Sequence, residues 1–208
     1  QGKIGELAAP GEKRGHQAGV RGVAFSPEGE RLATAGGDGS IGIWDVRTRT
    51  LLHSLSGHTA RVYAVSYSPD GQFVVYRSDR GFDAPLGLYA VPAGGGTVRN
   101  LAPTLGSTSR VDADFSISPD SRWVQYAGSF ERLWMASIDG DRVTRVGTVG
   151  ADFLSTPYPR RFLPNDDATL LWLDPAQDLR LSGLNRDFDR DGITACAGDC
   201  DDTEATTY

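Results

Sequence analysis

The 208-residue sequence predicts an all-β chain built from a repeated antiparallel unit, and three observations carry that expectation. A Ser-Pro turn recurs as "FSPEG" at 25–29, "YSPDG" at 67–71 and "ISPDS" at 117–121, with a fainter "LPND" at 163–166. The turn prolines Pro27, Pro69, Pro119 and Pro164 stand 42, 50 and 45 residues apart. Short strands with alternating apolar residues flank each proline, and 26 glycines with 11 prolines suit many turns rather than long helices.

Each unit can be followed strand by strand. The turn joins "VRGVAF" to "RLATAG", "RVYAVSY" to "QFVVYRS", "DADFSI" to "RWVQYAG" and "RRFL" to "ATLLWL". In Ser-Pro-Asp-Gly, proline presets φ, aspartate bonds its own backbone, and glycine accepts positive φ. A third strand follows as "SIGIWDV", "LGLYAV", "RLWMAS" and "DLRLSGL", and a fourth as "TLLHSLS", "TVRNLA" and "RVTRVGTV". Four antiparallel strands every 40 to 50 residues is the period of a β-propeller blade. About four blades are therefore expected within residues 1–184, at 15–56, 57–101, 110–148 and 158–184, with a separate loop at 185–208. The fourth unit lacks a fourth strand. "KIGELAA" at 3–9 would supply it in a closed ring, or be the outer strand of a preceding blade. The expectation is an open arc, or part of a larger ring.

The first unit resembles the WD-repeat family. "GH" at 15–16, "LATAGGDGS" at 32–40 and "IWD" at 43–45 carry the likeness. The resemblance implies that His16, Thr34, Asp38 and Trp44 form a hydrogen-bonded tetrad locking the blade, a satisfied polar network of the kind that stiffens a core. "GHTARVYAVSYSPDG" at 57–71 begins a second such blade, with Tyr89-Ala90 standing at the Trp-Asp position. Later units are more similar to TolB-type propellers, through "SDRG" at 78–81 and "ISPDSRWVQYAG" at 117–128. His16 and His58 are read as structural, and Trp44, Trp123, Trp134 and Trp172 as core.

Chemistry is otherwise sparse. The chain has no G-x-S-x-G, no H-E-x-x-H and no phosphate-cradling loop before a helix. "AGGGTV" at 93–98 reads as a hairpin, and His53 stands alone on a predicted strand. Of the net charge of −6, −5 falls between Arg186 and Glu204, so the rest of the surface is close to neutral. No basic stripe exists to neutralise phosphates, so nucleic acid is not an expected partner. No run of eighteen apolar residues exists to span a membrane. The chain opens on Gln1 and is read as a processed form or a fragment.

The tail, "DFDRDGITACAGDCDD" at 187–202, is different in kind. Asp187, Asp189 and Asp191 alternate before Gly192, the pattern by which a loop folds carboxylates around a hard cation, and the Ile193 carbonyl is placed to add an oxygen. A regular EF-hand needs Glu at the twelfth position, which here is Gly198, with Asp199, Asp201 and Asp202 just beyond. The run resembles the Asp/Cys metal-binding repeats of bacterial surface proteins (the MopE type) and the type 3 repeats of thrombospondins. Cys196 and Cys200 either pair or act as soft ligands; with no third Cys or His near, calcium is the expected ion and copper the alternative. A disulfide and calcium together imply an oxidising space: extracellular, cell surface or periplasm, against the cytoplasm that WD-type blades alone suggest.

The function expected is a non-enzymatic binding or scaffold module of an exported bacterial protein, with a protein partner on the propeller face. The alternative is the non-catalytic propeller of a larger secreted enzyme such as a peptidase.

Overall fold

The computed structural model describes residues 16–56, 60–79, 86–103, 111–128, 132–148, 161–162, 170–173 and 179–182. All regular structure among them is strand. Sheet one holds β1 (Val20–Phe25), β2 (Arg31–Gly36), β3 (Ile41–Asp45) and β4 (Leu51–Leu55). Sheet two holds β5 (Val62–Tyr67), β6 (Phe73–Asp79), β7 (Leu86–Pro92) and β8 (Arg99–Asn100). Sheet three holds β9 (Val111–Ile117), β10 (Trp123–Gly128), β11 (Arg132–Ser137) and β12 (Val143–Thr148). Sheet four has three strands, β13 (Arg161–Phe162), β14 (Leu170–Leu173) and β15 (Leu179–Ser182). In each sheet the strands pair antiparallel in chain order, as in the meander of a propeller blade. Residues 3–9, the candidate closing strand, lie outside the described residues.

The Ser-Pro turns set the register. Ser26 N–H donates to the Arg31 carbonyl, Ser68 N–H to that of Phe73, and Ser118 N–H to that of Trp123, each at 2.8–2.9 Å. In return the serine hydroxyls accept the N–H of Arg31, Phe73 and Trp123 at 2.9–3.0 Å. The third turn residue completes the motif: Asp70 accepts from Gln72 N–H and Asp120 from Arg122 N–H, both at 3.0 Å. The same device closes β11 to β12, where Ser137 accepts from Arg142 N–H at 2.9 Å.

Period-two alternation gives sheets one to three their apolar faces, and neighbouring sheets among these three stack through them. On sheet one, Ala33, Ala35, Ile41 and Ile43 pack against Val62, Val65, Tyr67, Val74, Tyr76, Tyr89 and Val91 of sheet two. The other face of sheet two, with Val75, Leu88 and Ala90, meets Val111, Val124, Tyr126 and Ala136 of sheet three. Tyr76 and Tyr126 are 1% exposed, and Tyr126 donates to the Leu101 carbonyl at 2.9 Å.

Strand pairing corrects one sequence alignment. Trp44 pairs with Leu32 and Asp45 with Arg31 in sheet one. The equivalents in sheet two are Val91 opposite Val74 and Pro92 opposite Phe73, so Tyr89-Ala90 does not hold the Trp-Asp place. The aromatic residue of blade two sits two positions nearer the β6–β7 connection. There Tyr89 pairs with Tyr76 and stacks on it, centroids 5.6 Å apart and planes 24° apart.

Candidate functional site: the blade-one network and its loop end

The structure brings His16, Thr34, Asp38 and Trp44 together. Thr34 sits on β2, Trp44 on β3, Asp38 in the turn between them, and His16 ahead of β1. Trp44 Nε1 donates to Thr34 Oγ1 at 2.9 Å, and His16 Nε2 lies 2.7 Å from the same hydroxyl. His16 Nδ1 faces Ser40 Oγ at 2.9 Å and Asp38 Oδ1 at 3.3 Å. With the ring proton on Nδ1, Thr34 donates to His16 and accepts from Trp44, and each ring nitrogen is matched. The His16 side chain is 4% exposed. Gly42 makes room for this: a Cβ there would stand 2.7 Å from Trp44 Nε1 and 2.9 Å from Thr34 Oγ1.

Asp38 anchors the outer end of the network. Burial would raise its carboxyl, but hydrogen bonds from the Ser40 hydroxyl, the N–H groups of Gln17 and Ser40, and the His16 ring outweigh that and hold it at about 2. Ser40 is the member that lies outside the expected tetrad. Its place two residues after Asp38 was the available signal, since Ser40 N–H closes an Asx-type turn on Oδ1 at 3.1 Å. Every polar group in this cluster is spent on another member, so its chemistry is to hold the β2–β3 turn and the entry to β1.

A second constellation gathers beside that turn and crosses two blades. The guanidinium of Arg21, on β1, lies 5.3 Å from the Tyr63 ring centroid, and that of Arg77, on β6, lies 5.8 Å from it. Tyr63 donates to Asp79 at 3.1 Å. Arg21 is exposed while Tyr63 and Arg77 are partly buried. A cation ready to meet a carboxylate thus stands on a fixed aromatic base. Nothing in the linear sequence pairs residues 21, 63 and 77; stacking of the blades does.

The other expected site residues lie elsewhere. Asp187, Asp189, Asp191, Ile193, Cys196, Asp199, Cys200, Asp201 and Asp202 are outside the described residues, as is His58. Among the described residues no group of three or more His, Cys, Asp or Glu is placed to hold a metal ion. No helix among them is long and apolar enough to cross a membrane. His53 is exposed on β4. Trp44 is 4% exposed. Trp123 and Trp134 are partly buried, and Trp172 is on β14.

Residues 10–45 and 49–80 match the family described as WD domain, G-beta repeat. The chain is 43% identical over 61 residues to Ribosome assembly protein 4 of Saccharomyces cerevisiae, covering 29% of this chain and 12% of that protein. It is 41% identical over 66 residues to WD repeat-containing protein 1 of Rattus norvegicus, covering 30% and 11%. With WD repeat-containing protein VIP3 of Arabidopsis thaliana the figures are 42% over 60 residues, covering 29% and 19%. The matched stretch thus spans less than a fifth of each of these eukaryotic relatives. The crystal structure of the computationally designed Ika4 protein shares the fold, with a TM-score of 0.54 at 19% identity over 81% of this chain and 92% of that one. Residues 10–45 and 49–80 thus match WD40 repeats, and the three four-stranded antiparallel sheets are consistent with blades of a WD-repeat β-propeller.

Proposed function

We propose that the chain is a non-enzymatic protein-binding scaffold whose partner docks on the loop end of blades one and two. The observation that carries this is the Arg21–Tyr63–Arg77 stack, a rigid and partly exposed group held beside a locked turn. Its chemistry suits an acidic side chain of a partner protein, and its rigidity spares the ordering that a loop contact would require. WD-repeat relatives support the scaffold reading. The test is cross-linking mass spectrometry on the purified chain with its native extract, comparing the parent with an Arg21→Glu/Tyr63→Ala variant. Loss of specific cross-links within residues 16–79 in a folded variant is expected. An unchanged set of captured proteins would rule this surface out.

The tail is part of the same proposal. Residues 187–202 bind one calcium ion through Asp187, Asp189, Asp191, the Ile193 carbonyl and one or more of Asp199, Asp201 and Asp202, with Cys196 and Cys200 paired. The support is the D-x-D-x-D-G run and the acids beyond it. Such a loop belongs in a calcium-rich, oxidising space outside the cytoplasm. Calorimetric titration of the full chain should give calcium heat that is lost in Asp189→Ala, with weaker heat from magnesium. Heat from Cu(II) that vanishes on cysteine oxidation would instead assign the ion to the two thiols.

A further inference from the structure

Val20, Val23 and Phe25 of β1 are exposed at 54%, 60% and 62%. Their equivalents in blade two are not. Counting pairs outward from the Ser-Pro turns, Val62, Val65 and Tyr67 of β5 take the same places, and they are 0%, 9% and 7% exposed. What covers them is sheet one, through Ala33, Ala35, Ile41 and Ile43. Blade three repeats the arrangement. Val111 is fully buried there and Phe115 and Ile117 are partly buried, packed with Val75, Leu88 and Ala90 of sheet two. The face that blade one leaves open is therefore built as a blade-receiving face.

The matching face is at the other end of the chain. In sheet one, Ala33 pairs with Ile43 and Ala35 with Ile41. In sheet four the pairs at those register positions are Leu171 with Leu181 and Leu173 with Leu179. The register is anchored by Phe162 opposite Leu170, as Phe25 is opposite Leu32. Four leucines thus occupy the places that bury Val62, Val65 and Tyr67 when they belong to blade one.

We infer that a second copy of this chain covers the open face, its sheet-four positions Leu171, Leu173, Leu179 and Leu181 meeting Val20, Val23 and Phe25. The contact continues the blade-to-blade interface already used twice in the molecule. It is heterologous, since one end meets the other, and two copies close it on themselves. Among the described residues each contributes four sheets, so the pair has eight, within the range of propeller rings.

Sedimentation equilibrium of the full chain over a wide concentration range is the test. The parent should form a dimer. Phe25→Glu should weaken it by about a hundredfold, as loss of a central anchor does. Phe25→Tyr, the residue blade two uses at this position, should restore it. Because Phe25 is mostly solvent-exposed within one chain, Phe25→Glu should melt like the monomeric parent, which a thermal scan verifies. Leu181→Glu should weaken the dimer as Phe25→Glu does. A parent that stays monomeric, whether its ring closes on itself or awaits another protein, overturns the inference. So does a dimer indifferent to Phe25→Glu.

Discussion

Trp44 reaches back over Gly42 to Thr34, and so ties β3 to β2 at a point where the backbone ladder alone would leave a hydroxyl buried. Replacing it with phenylalanine keeps the apolar bulk and removes one donor. Trp44→Phe and His16→Ala should each cost about 1–3 kcal/mol, because each orphans a buried partner. Urea unfolding measures this, and midpoints equal to the parent's would show that the network contributes nothing. Asp38 adds a pH dependence whose sign follows from its lowered carboxyl. A folded value of about 2 against 3.8 means stability that is present above about pH 4 and drains away as pH falls toward 2. The gap in unfolding midpoint between parent and Asp38→Asn should therefore narrow over that interval; a gap of constant width would contradict the assignment. Ser121 holds a left-handed backbone, φ 62°, where Gly29 and Gly71 serve in blades one and two. Its hydroxyl also accepts Asp70 N–H at 2.9 Å, linking the turns of blades two and three. Ser121→Ala loses that bond and keeps the strain, so a loss of about 1–2 kcal/mol is expected, while Ser121→Gly should lose less because it relaxes the backbone. Equal losses in the two variants would mean that the left-handed turn stores no strain.

At the scale of the element, the close approach of β1 to β5 depends on Gly22. A Cβ there would lie 3.1 Å from the Tyr63 carbonyl oxygen and 3.3 Å from Ala64 Cα, both backbone atoms with little room to retreat. Gly22→Ala should push the innermost strands of blades one and two apart and destabilise the fold by about 1–3 kcal/mol. It should also loosen the Arg21–Tyr63 stack, visible as a change in tyrosine fluorescence; a variant with parent stability and spectrum would show that the spacing is not set there. The strands themselves were readable from the sequence because the Ser-Pro turn is a local device whose serine and aspartate bond within five residues. Two features were not readable. The Tyr89 position was misplaced because the aromatic was aligned by its type, whereas the sheet aligns residues from the turn, and by that count Tyr89 falls two pairs from the place of Trp44. The Arg21–Tyr63–Arg77 group was invisible because its members are local to nothing and meet only once two blades are stacked. The tetrad, by contrast, rests on β2, β3, their turn and the entry to β1, all within one repeat.

Among the described residues, the two central strands of each four-stranded sheet are well buried. On β6 and β7 both faces are covered, whereas β1 and β4 show their outer faces to solvent. Amide exchange in Phe25→Glu should accordingly be slowest in β6 and β7 and fastest in β4, with β1 between them. Uniform protection across sheets one and two would mean that the blades open together rather than singly. The ladders also have a consequence for descent. Among the described residues every strand ladder closes inside its own sheet, and neighbouring sheets meet through packed side chains, through bonds such as Asp70 N–H to the Ser121 hydroxyl, and at the close approach of Gly22 to β5. A duplication that adds one complete meander therefore inserts a unit whose own pairing is already complete and whose two faces already match its neighbours. A duplication or deletion of a single residue within a strand turns the buried row outward. Lineages of this architecture should lengthen and shorten by whole repeats, with the scars of smaller events confined to connections such as 46–50.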